Sequence, residues 1–330
     1  MNYKKEYTDV MQGKKIMYVH GFASSAQSGT VKRLRETFPS ATIVAEDIPL
    51  DPEEAIIMLR EMAEREQPDL IVGTSMGGMY AEQLYGYDRI LVNPAFEMGE
   101  TMASHGMMGQ QTFMNERRDG VQNFIVTKAL VKKYKQMTEQ NFSGVDEEEQ
   151  KRVYGLFGID DPLVNTYDIF MQHYPNAIRF NGEHRMDDRS FLHAVVPVIR
   201  WIDDKQADRQ RPIIYIGIET LIDNYGNPTS SSQKAFRMLI EHYQVFFVAP
   251  AYSCEPDKMA ETHSWLMKHF DAPVWNHIVF TNQRHLLLGD FLIAPQKSDD
   301  FMGTCIEYGS DTFKTWEEII TFYERTLGIG

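Results

Sequence analysis

Cysteine is scarce in this 330-residue chain, which holds only Cys254 and Cys305. Two such distant thiols give neither a disulfide framework nor the paired spacing of a zinc site, and both read as small buried hydrophobes. No run approaches the ~18 consecutive apolar residues of a membrane helix. The N-terminus MNYKKEYTDVMQG is charged but lacks the apolar stretch of a signal peptide. These two absences predict a soluble, cytoplasmic protein with no membrane insertion. Basic charge is also in deficit, with Lys+Arg 33 against Asp+Glu 47 and a net charge of −14. The deficit is spread evenly, 24 against 32 in residues 1–210 and 9 against 15 in residues 211–330. An evenly acidic surface repels phosphate backbones, so nucleic acid is not an expected partner. Internal repeats and low-complexity tracts are missing too.

The chain does have an ordinary globular composition, 43% hydrophobic and 24% charged, and a length that suggests two domains. From Lys14 to Asn93 it alternates short apolar runs, KIMYVHG, ATIVAEDI, DLIVGTS and RILVNPA, with amphipathic stretches such as Pro52 to Arg65. The runs are rich in Val and Ile and do not alternate with polar residues, as expected of parallel strands buried on both faces. The spacing therefore predicts a doubly wound α/β sheet. After Pro94 this rhythm breaks, and residues 96–150 read as an inserted cap. It resumes with KRVYGLFGIDD, a helix from about Leu163, AIRFNGEH and a helix through VVPVIRWIDD. Residues 1–13 read as a leader, 14–204 as the first domain and 205–211 as a charged, proline-terminated linker. Residues 212–330 read as a second α/β set: PIIYIGIET, a helix around Ala235 to Tyr243, VFFVAP, a helix from about Asp257, HIVFTN, DFLIAP and a closing helix from Trp316.

Gly73-Thr74-Ser75-Met76-Gly77-Gly78 follows an apolar strand and opens a helical stretch. This is the G-x-S-x-G pattern of a nucleophile elbow, in which flanking glycines let a tight turn lift the serine hydroxyl above the sheet. The bland alternative is a serine that caps the helix. Acyl transfer also needs donors for the developing oxyanion. His20-Gly21-Phe22 ends the first strand, where such folds supply one backbone N–H, and the residue after the serine supplies the other. Phe22 and Met76 are thus the expected oxyanion donors, with Gly73, Gly77, Gly21 and His20 supporting the loops. His20 is read as a brace of its loop, not as the base. The order Ser, Asp, His leads to Gly158-Ile159-Asp160-Asp161-Pro162-Leu163-Val164, in which either Asp160 or Asp161 could orient the base, with the spacing favouring Asp161. It ends at Gly182-Glu183-His184, where His184 is the expected base. His193, in FLHAVVPVI, reads as a packed side chain.

Residues 14–204 resemble the YqiA/YcfP-type family of small bacterial α/β-hydrolase esterases. The matching motifs are YVHGFASS, EDIPLDPEEAI, LIVGTSMGGMYAEQL, LVNPA and GEH before a final helix. The resemblance implies an α/β-hydrolase fold with an inserted cap, and hydrolysis of carboxylic ester or thioester bonds by Ser75, Asp161 and His184. The expected partner is a small-molecule acyl ester or thioester, no cofactor or metal is expected, and a homo-oligomer is compatible with all of this. The cap departs from the family in being longer and rich in methionine. Met98, Met102, Met107, Met108 and Met114 could form an adaptable lid over an acyl chain, with Met102, Met107 and Met108 as candidate substrate contacts, or could be the cap's own core. Arg117, Arg118, Lys128, Lys132 and Lys133 could hold a substrate anion or simply form a solvated face.

Residues 211–330 resemble the cytosolic 5'(3')-deoxyribonucleotidase branch of the haloacid-dehalogenase-like phosphatases, through IIYIGIETLIDNYG, VFFVAP, HIVFTNQRHLLLGDFLIAP and YGSDTFKTWEEIITF. The resemblance implies a smaller Rossmannoid α/β domain of that type. Its catalytic places are altered: Gly217 and Glu219 stand for the paired aspartates, Ala249 for a Ser or Thr, Arg284 for the lysine, and Ala294 and Pro295 for the Mg²⁺ ligands. Without those carboxylates the cation has no oxygen cage. The expectation is a catalytically inactive domain with a structural or ligand-binding role. The alternative for the whole chain is a non-catalytic sensor or scaffold whose phosphatase-like domain binds a nucleotide or phosphate.

Overall fold

The computed structural model describes residues 5–223, 226–298 and 300–328. Two compact units, Met1–Ala207 and Asp208–Gly330, divide the chain. Among the described residues no helix is long and apolar enough to cross a membrane.

The first unit is built on a six-stranded sheet of β1 (Lys15–Val19), β2 (Thr42–Val44), β3 (Leu70–Thr74), β4 (Arg89–Val92), β7 (Val153–Gly158) and β8 (Ala177–Phe180). The strand order is β2-β1-β3-β4-β7-β8, and every neighbouring pair is parallel. The central strands are buried on both faces, as Ile71, Val72, Ile90 and Leu91 at 0% exposure attest, which explains why their sequence does not alternate. Amphipathic helices cover the sheet. In Pro52–Glu66 the Asp51 carboxylate accepts from Glu53 N–H at the N-terminus, Pro52 opens the first turn, and Ala55, Leu59 and Met62 face inward. This is the α/β-hydrolase architecture.

Between β4 and β7 lies the inserted cap. It consists of the helix Met98–Ser104, an antiparallel hairpin of β5 (Gly109–Thr112) and β6 (Asn123–Val126), and the helices Lys128–Thr138 and Glu147–Gln150. Buried polar groups root it. The fully buried Arg89 guanidinium pairs with Glu149, while Glu82, also 0% exposed, accepts from Tyr174 Oη at 2.8 Å and Phe142 N–H at 3.0 Å. Burial pushes the Glu82 carboxyl above its ordinary pKa.

The second unit carries β9 (Ile213–Gly217), β10 (Gln244–Ala249), β11 (Ile278–Phe280), β12 (Phe291–Ala294) and β13 (Thr304–Glu307) in the order β11-β10-β9-β12-β13, again all parallel. Its core gathers Ile214, Ile216, Phe247, Ile293 and Trp316, among other buried residues. It is the second α/β domain the sequence implies.

Several local expectations change. The leader is not a separate segment: Val10 and Met11 are 1% and 0% exposed, while residues 1–4 lie outside the described residues. The helix Val196–Gln206 runs past Asp204, so Lys205 and Gln206 are helical, not linker. No helix begins at Leu163, because the Asp161 carboxylate takes the Leu163 and Val164 N–H groups into a turn; the helix starts at Tyr167 and ends at Met171. In the second unit the helix expected from Ala235 starts at Ser230, where the Thr229 hydroxyl accepts from Ser232 N–H. The cysteines are not buried. Cys254 is exposed in the segment between β10 and the next helix, and Cys305 is half-buried on edge strand β13. Of the stretch IIYIGIETLIDNYG, Asn224 and Tyr225 lie outside the described residues, as do Ile329 and Gly330 at the chain's end.

Candidate active site

In parallel α/β sheets, side chains at the carboxyl ends of the strands face a common crevice. Here His20 follows β1, Ser75 follows β3, Asn93 follows β4, Asp161 lies just beyond β7 and His184 beyond β8.

Ser75 occupies φ 55°, ψ −120° between β3 and the helix Met76–Glu82. A positive φ is strained for a residue with a Cβ, and such strain is held only where the surroundings fix it. The fixing bonds are on both sides: Ser75 N–H donates to Val92 O at 2.9 Å, and Ser75 O accepts from Gly78 N–H at 2.9 Å and Ala95 N–H at 3.0 Å. The hydroxyl makes no cap bond to the helix, so the capping role is not what it does. A Cβ on Gly77 would collide with the Val19 and His20 carbonyls, and one on Gly73 would lie 2.7 Å from Ala81 Cβ. Only glycine permits that crossing of strand, elbow and helix.

Three side chains predicted from sequence meet here. His184 Nε2 lies 3.0 Å from Ser75 Oγ, and Nδ1 lies 2.8 Å from Asp161 Oδ2. Since the carboxylate can only accept, Nδ1 carries the hydrogen and Nε2 presents its lone pair to the Ser75 hydroxyl. The Asp161 side chain is 2% exposed, and its other oxygen accepts from Leu163 N–H at 2.8 Å and Val164 N–H at 3.0 Å. Asp160 is exposed and makes no bond to His184. Geometry thus separates the two aspartates that sequence left open.

His20 is 2% exposed and lies in the loop wall. Its Nε2 accepts from Ile48 N–H at 3.1 Å, which puts the ring hydrogen on Nδ1, where it donates to Gly21 O at 2.9 Å. Burial lowers its pKa to about 4, so the ring is neutral near pH 7. Gly21 brings this loop against the elbow: a Cβ there would stand 3.3 Å from Ser75 Cβ. Phe22 follows in the same loop. Met76 is the first residue of its helix, where an N–H has no intrahelical acceptor.

Asn93, which the LVNPA motif contains but to which the sequence assigns no role, stands beside these side chains. At φ 45° and 2% exposure, it donates from Nδ2 to Glu183 O at 3.0 Å and His184 O at 3.1 Å. Its Oδ1 accepts from Gly158 N–H at 2.7 Å. One amide thereby ties the base-bearing segment to the strand that leads to Asp161. The signal for it was an Asn before Pro at a strand end, because Asn tolerates left-handed backbone better than other residues with a Cβ.

The cap's methionines divide by burial. Met98 and Met102 are 1% and 0% exposed in the domain core, Met107 packs half-buried against it, and Met108 and Met114 are exposed. Met102 therefore has no surface to offer a substrate. The basic residues divide too. Arg117 is buried, donates to Ile48 O at 3.3 Å, pairs with Asp119 and lies over the Phe113 ring. Lys133 pairs with Asp51 and Glu53, while Arg118, Lys128 and Lys132 are exposed. His193 is half-buried in a π-helical turn, Phe191–Val195.

The hairpin side of the cap is fastened to the loop after β1. Met114 N–H donates to Ala23 O at 2.8 Å, Asn115 Nδ2 to Ser24 Oγ at 3.1 Å, and Ser25 Oγ to Glu116 O at 2.7 Å. Asp47 bridges both sides, accepting from Ala26 N–H at 2.8 Å and Arg118 N–H at 2.7 Å.

The family model described as "Uncharacterised protein family (UPF0227)" matches residues 15–188, more than half of the chain. The chain belongs to this family. The rest is similar to a curated protein of Vibrio phage KVP40 named "Putative 5'(3')-deoxyribonucleotidase", 21% identical over 98 residues, which are 29% of this chain. The chain spans 58% of that relative's length. Similar solved structures include a marine microorganism esterase (15% identity, TM-score 0.37, covering 62% of this chain and 96% of that one). Another is Est1E from Butyrivibrio proteoclasticus (12% identity, TM-score 0.40, covering 62% and 92%).

The residues that the resemblance sets against phosphatase catalytic places lie at or near strand ends. Gly217 ends β9, Ala249 ends β10, Ala294 ends β12 with Pro295 after it, and Glu219 sits in the short turn Ile218–Thr220. The Glu219 carboxylate folds back over Gly217: a Cβ there would lie 2.8 Å from Oε1 and 2.9 Å from Cδ. It forms an ion pair with Arg284. Among the described residues no group of three or more His, Cys, Asp or Glu side chains could hold a metal ion.

Proposed function

We propose that the first unit is a serine hydrolase of carboxylic esters or thioesters. The observation that carries this reading is the continuous hydrogen-bonded chain Asp161–His184–Ser75. In the proposed reaction Ser75 Oγ attacks the acyl carbonyl carbon while His184 Nε2 takes the hydroxyl proton, and the N–H groups of Phe22 and Met76 bind the oxyanion. As the tetrahedral intermediate collapses, the carbon–leaving-group bond breaks and His184 returns the proton to the alcohol or thiol. Water then attacks the acyl-serine with His184 again as base, releasing the carboxylic acid and restoring the Ser75 hydroxyl. Asp161 holds the ring in the required tautomer throughout. No metal or cofactor is needed for any of these steps.

The test is labelling with a fluorophosphonate together with p-nitrophenyl ester hydrolysis. Wild type should label and turn over; Ser75→Ala should do neither; Asp161→Asn should lower kcat by about 10⁴-fold, as a mis-set tautomer does. Asp160→Asn should stay near wild type. Folded wild-type protein that neither labels nor hydrolyses any ester would overturn the proposal.

For the second unit the reading is a domain without phosphatase chemistry. Glycine at position 217 offers no nucleophile, and Glu219 is engaged by Arg284. Mg²⁺-dependent phosphate release from nucleoside monophosphates should be absent.

A further inference from the structure

A cavity of about 550 Å³ opens in the second unit at the ends of β9 and β10, within the size range of small-molecule sites. Its lining is mainly apolar and aromatic, with Ile218, Pro250, Tyr252 and Trp265, and its charged members are Glu219, Arg284 and Glu261. Two features of the Glu219–Arg284 pair bear on what can enter. The Glu219 carboxylate lies over Gly217, in the space a larger side chain or an anion would need, and the guanidinium of Arg284 is neutralised by it. A phosphate or carboxylate arriving there would face an oxygen of like charge and find its cation already engaged. The pair itself presents an acceptor edge beside a donor edge with no net charge, and the Glu261 carboxylate adds a further charge that repels an anion.

The wall supplies a second, independent observation. Tyr252 holds φ 46°, a left-handed conformation that is an outlier for a bulky aromatic and that clusters at ligand sites. This strained backbone delivers a ring to the cavity that Trp265 also lines. Flat aromatic faces bind flat partners through stacking or edge contacts.

We propose that this cavity is a non-catalytic binding site for an uncharged planar ring compound bearing an amide-type edge. The ring sits among Tyr252, Trp265 and the aliphatic wall. Its carbonyl accepts from Arg284, and its N–H donates to Glu219. The site thus selects against the anionic groups that a phosphatase-type crevice would accept.

Three probes with the same ring and different heads test this on the full chain: benzamide, benzoate and phenyl phosphate, titrated by tryptophan fluorescence and by ligand-observed NMR. Benzamide is expected to bind saturably, and the two anions at least tenfold more weakly. Glu219→Gln should erase that discrimination by strengthening phenyl phosphate at least tenfold. Tyr252→Gly relieves the positive φ while removing the ring, so it should keep or raise Tm and weaken benzamide at least fivefold. Phenyl phosphate binding as tightly as benzamide overturns the proposal. So does an absence of benzamide binding, or a Tyr252→Gly protein that binds benzamide unchanged.

Discussion

Replacing the buried Asn93 by alanine would remove the partner of two carbonyls and one backbone amide that lie in half-buried surroundings. Each lost bond costs about 0.5–1.5 kcal/mol. Those groups belong to Glu183, His184 and Gly158, so the loss falls on the spacing between base and acid, not on substrate contacts. Asn93→Ala is therefore expected to lower kcat while KM changes little, and to lower Tm; a variant with wild-type kcat would show that His184 is held by other means.

His20 gives a pH dependence whose sign follows from its burial. Its folded pKa is about 4 against an ordinary 6.5. The unfolded chain therefore binds the extra proton first, and stability falls as pH drops from about 6.5 towards 4. The full effect is about 3 kcal/mol. Glu82, raised by burial, works in the opposite direction, so the measurement is a difference. The stability gap between wild type and His20→Gln should narrow from pH 7 to pH 4.5, and a gap that stays constant would contradict the assignment. At this scale the sequence was legible where a motif places a side chain at a strand end, as at Ser75 and His184, which the fold brings to 3.0 Å. Asn93 shows in the sequence only as an Asn before Pro, while its partners Gly158, Glu183 and His184, like the Ile48 carbonyl that Arg117 reaches, are distant in sequence and leave no local pattern.

The elements that shape the site were readable in proportion to their hydrophobic regularity. Strands buried on both faces announce themselves as Val- and Ile-rich runs, and the long helices by their three- and four-residue spacing. The strands β5, β6 and edge strand β13 have only four residues each, too few for such a run to stand out. Yet the hairpin side of the cap bears on the proposed chemistry, since its 114–118 segment is bonded to the loop that carries Phe22. Asp47 is the shared acceptor, holding Ala26 on one side and Arg118 on the other. Asp47→Ala should let the Phe22 N–H drift from the oxyanion position, lowering kcat by about tenfold to about a hundredfold with little change in KM. Asp47→Asn keeps an accepting oxygen and should recover part of the loss. Equal activity in all three proteins would mean that cap and loop are not mechanically joined.

On the scale of the whole molecule, the core cluster that holds Ile71 and Leu91 draws, among the described residues, on the first unit alone, and the one that holds Ile216 and Trp316 on the second alone. Each unit exceeds about 100 residues, enough for a core of its own. The even spread of acidic charge noted in the sequence is thus shared by two self-contained bodies, and the chemistry proposed for Ser75 draws only on residues of the first. Residues 205–210 are exposed between them, which makes Arg209 a natural site for limited tryptic cleavage. Brief digestion should give two resistant fragments split near that residue, and the N-terminal fragment should keep its fluorophosphonate labelling at Ser75. Calorimetry of the intact chain should resolve two transitions, with the hydrolytic activity lost in only one of them. A single transition together with loss of labelling on cleavage would mean that the first unit depends on the second for its fold.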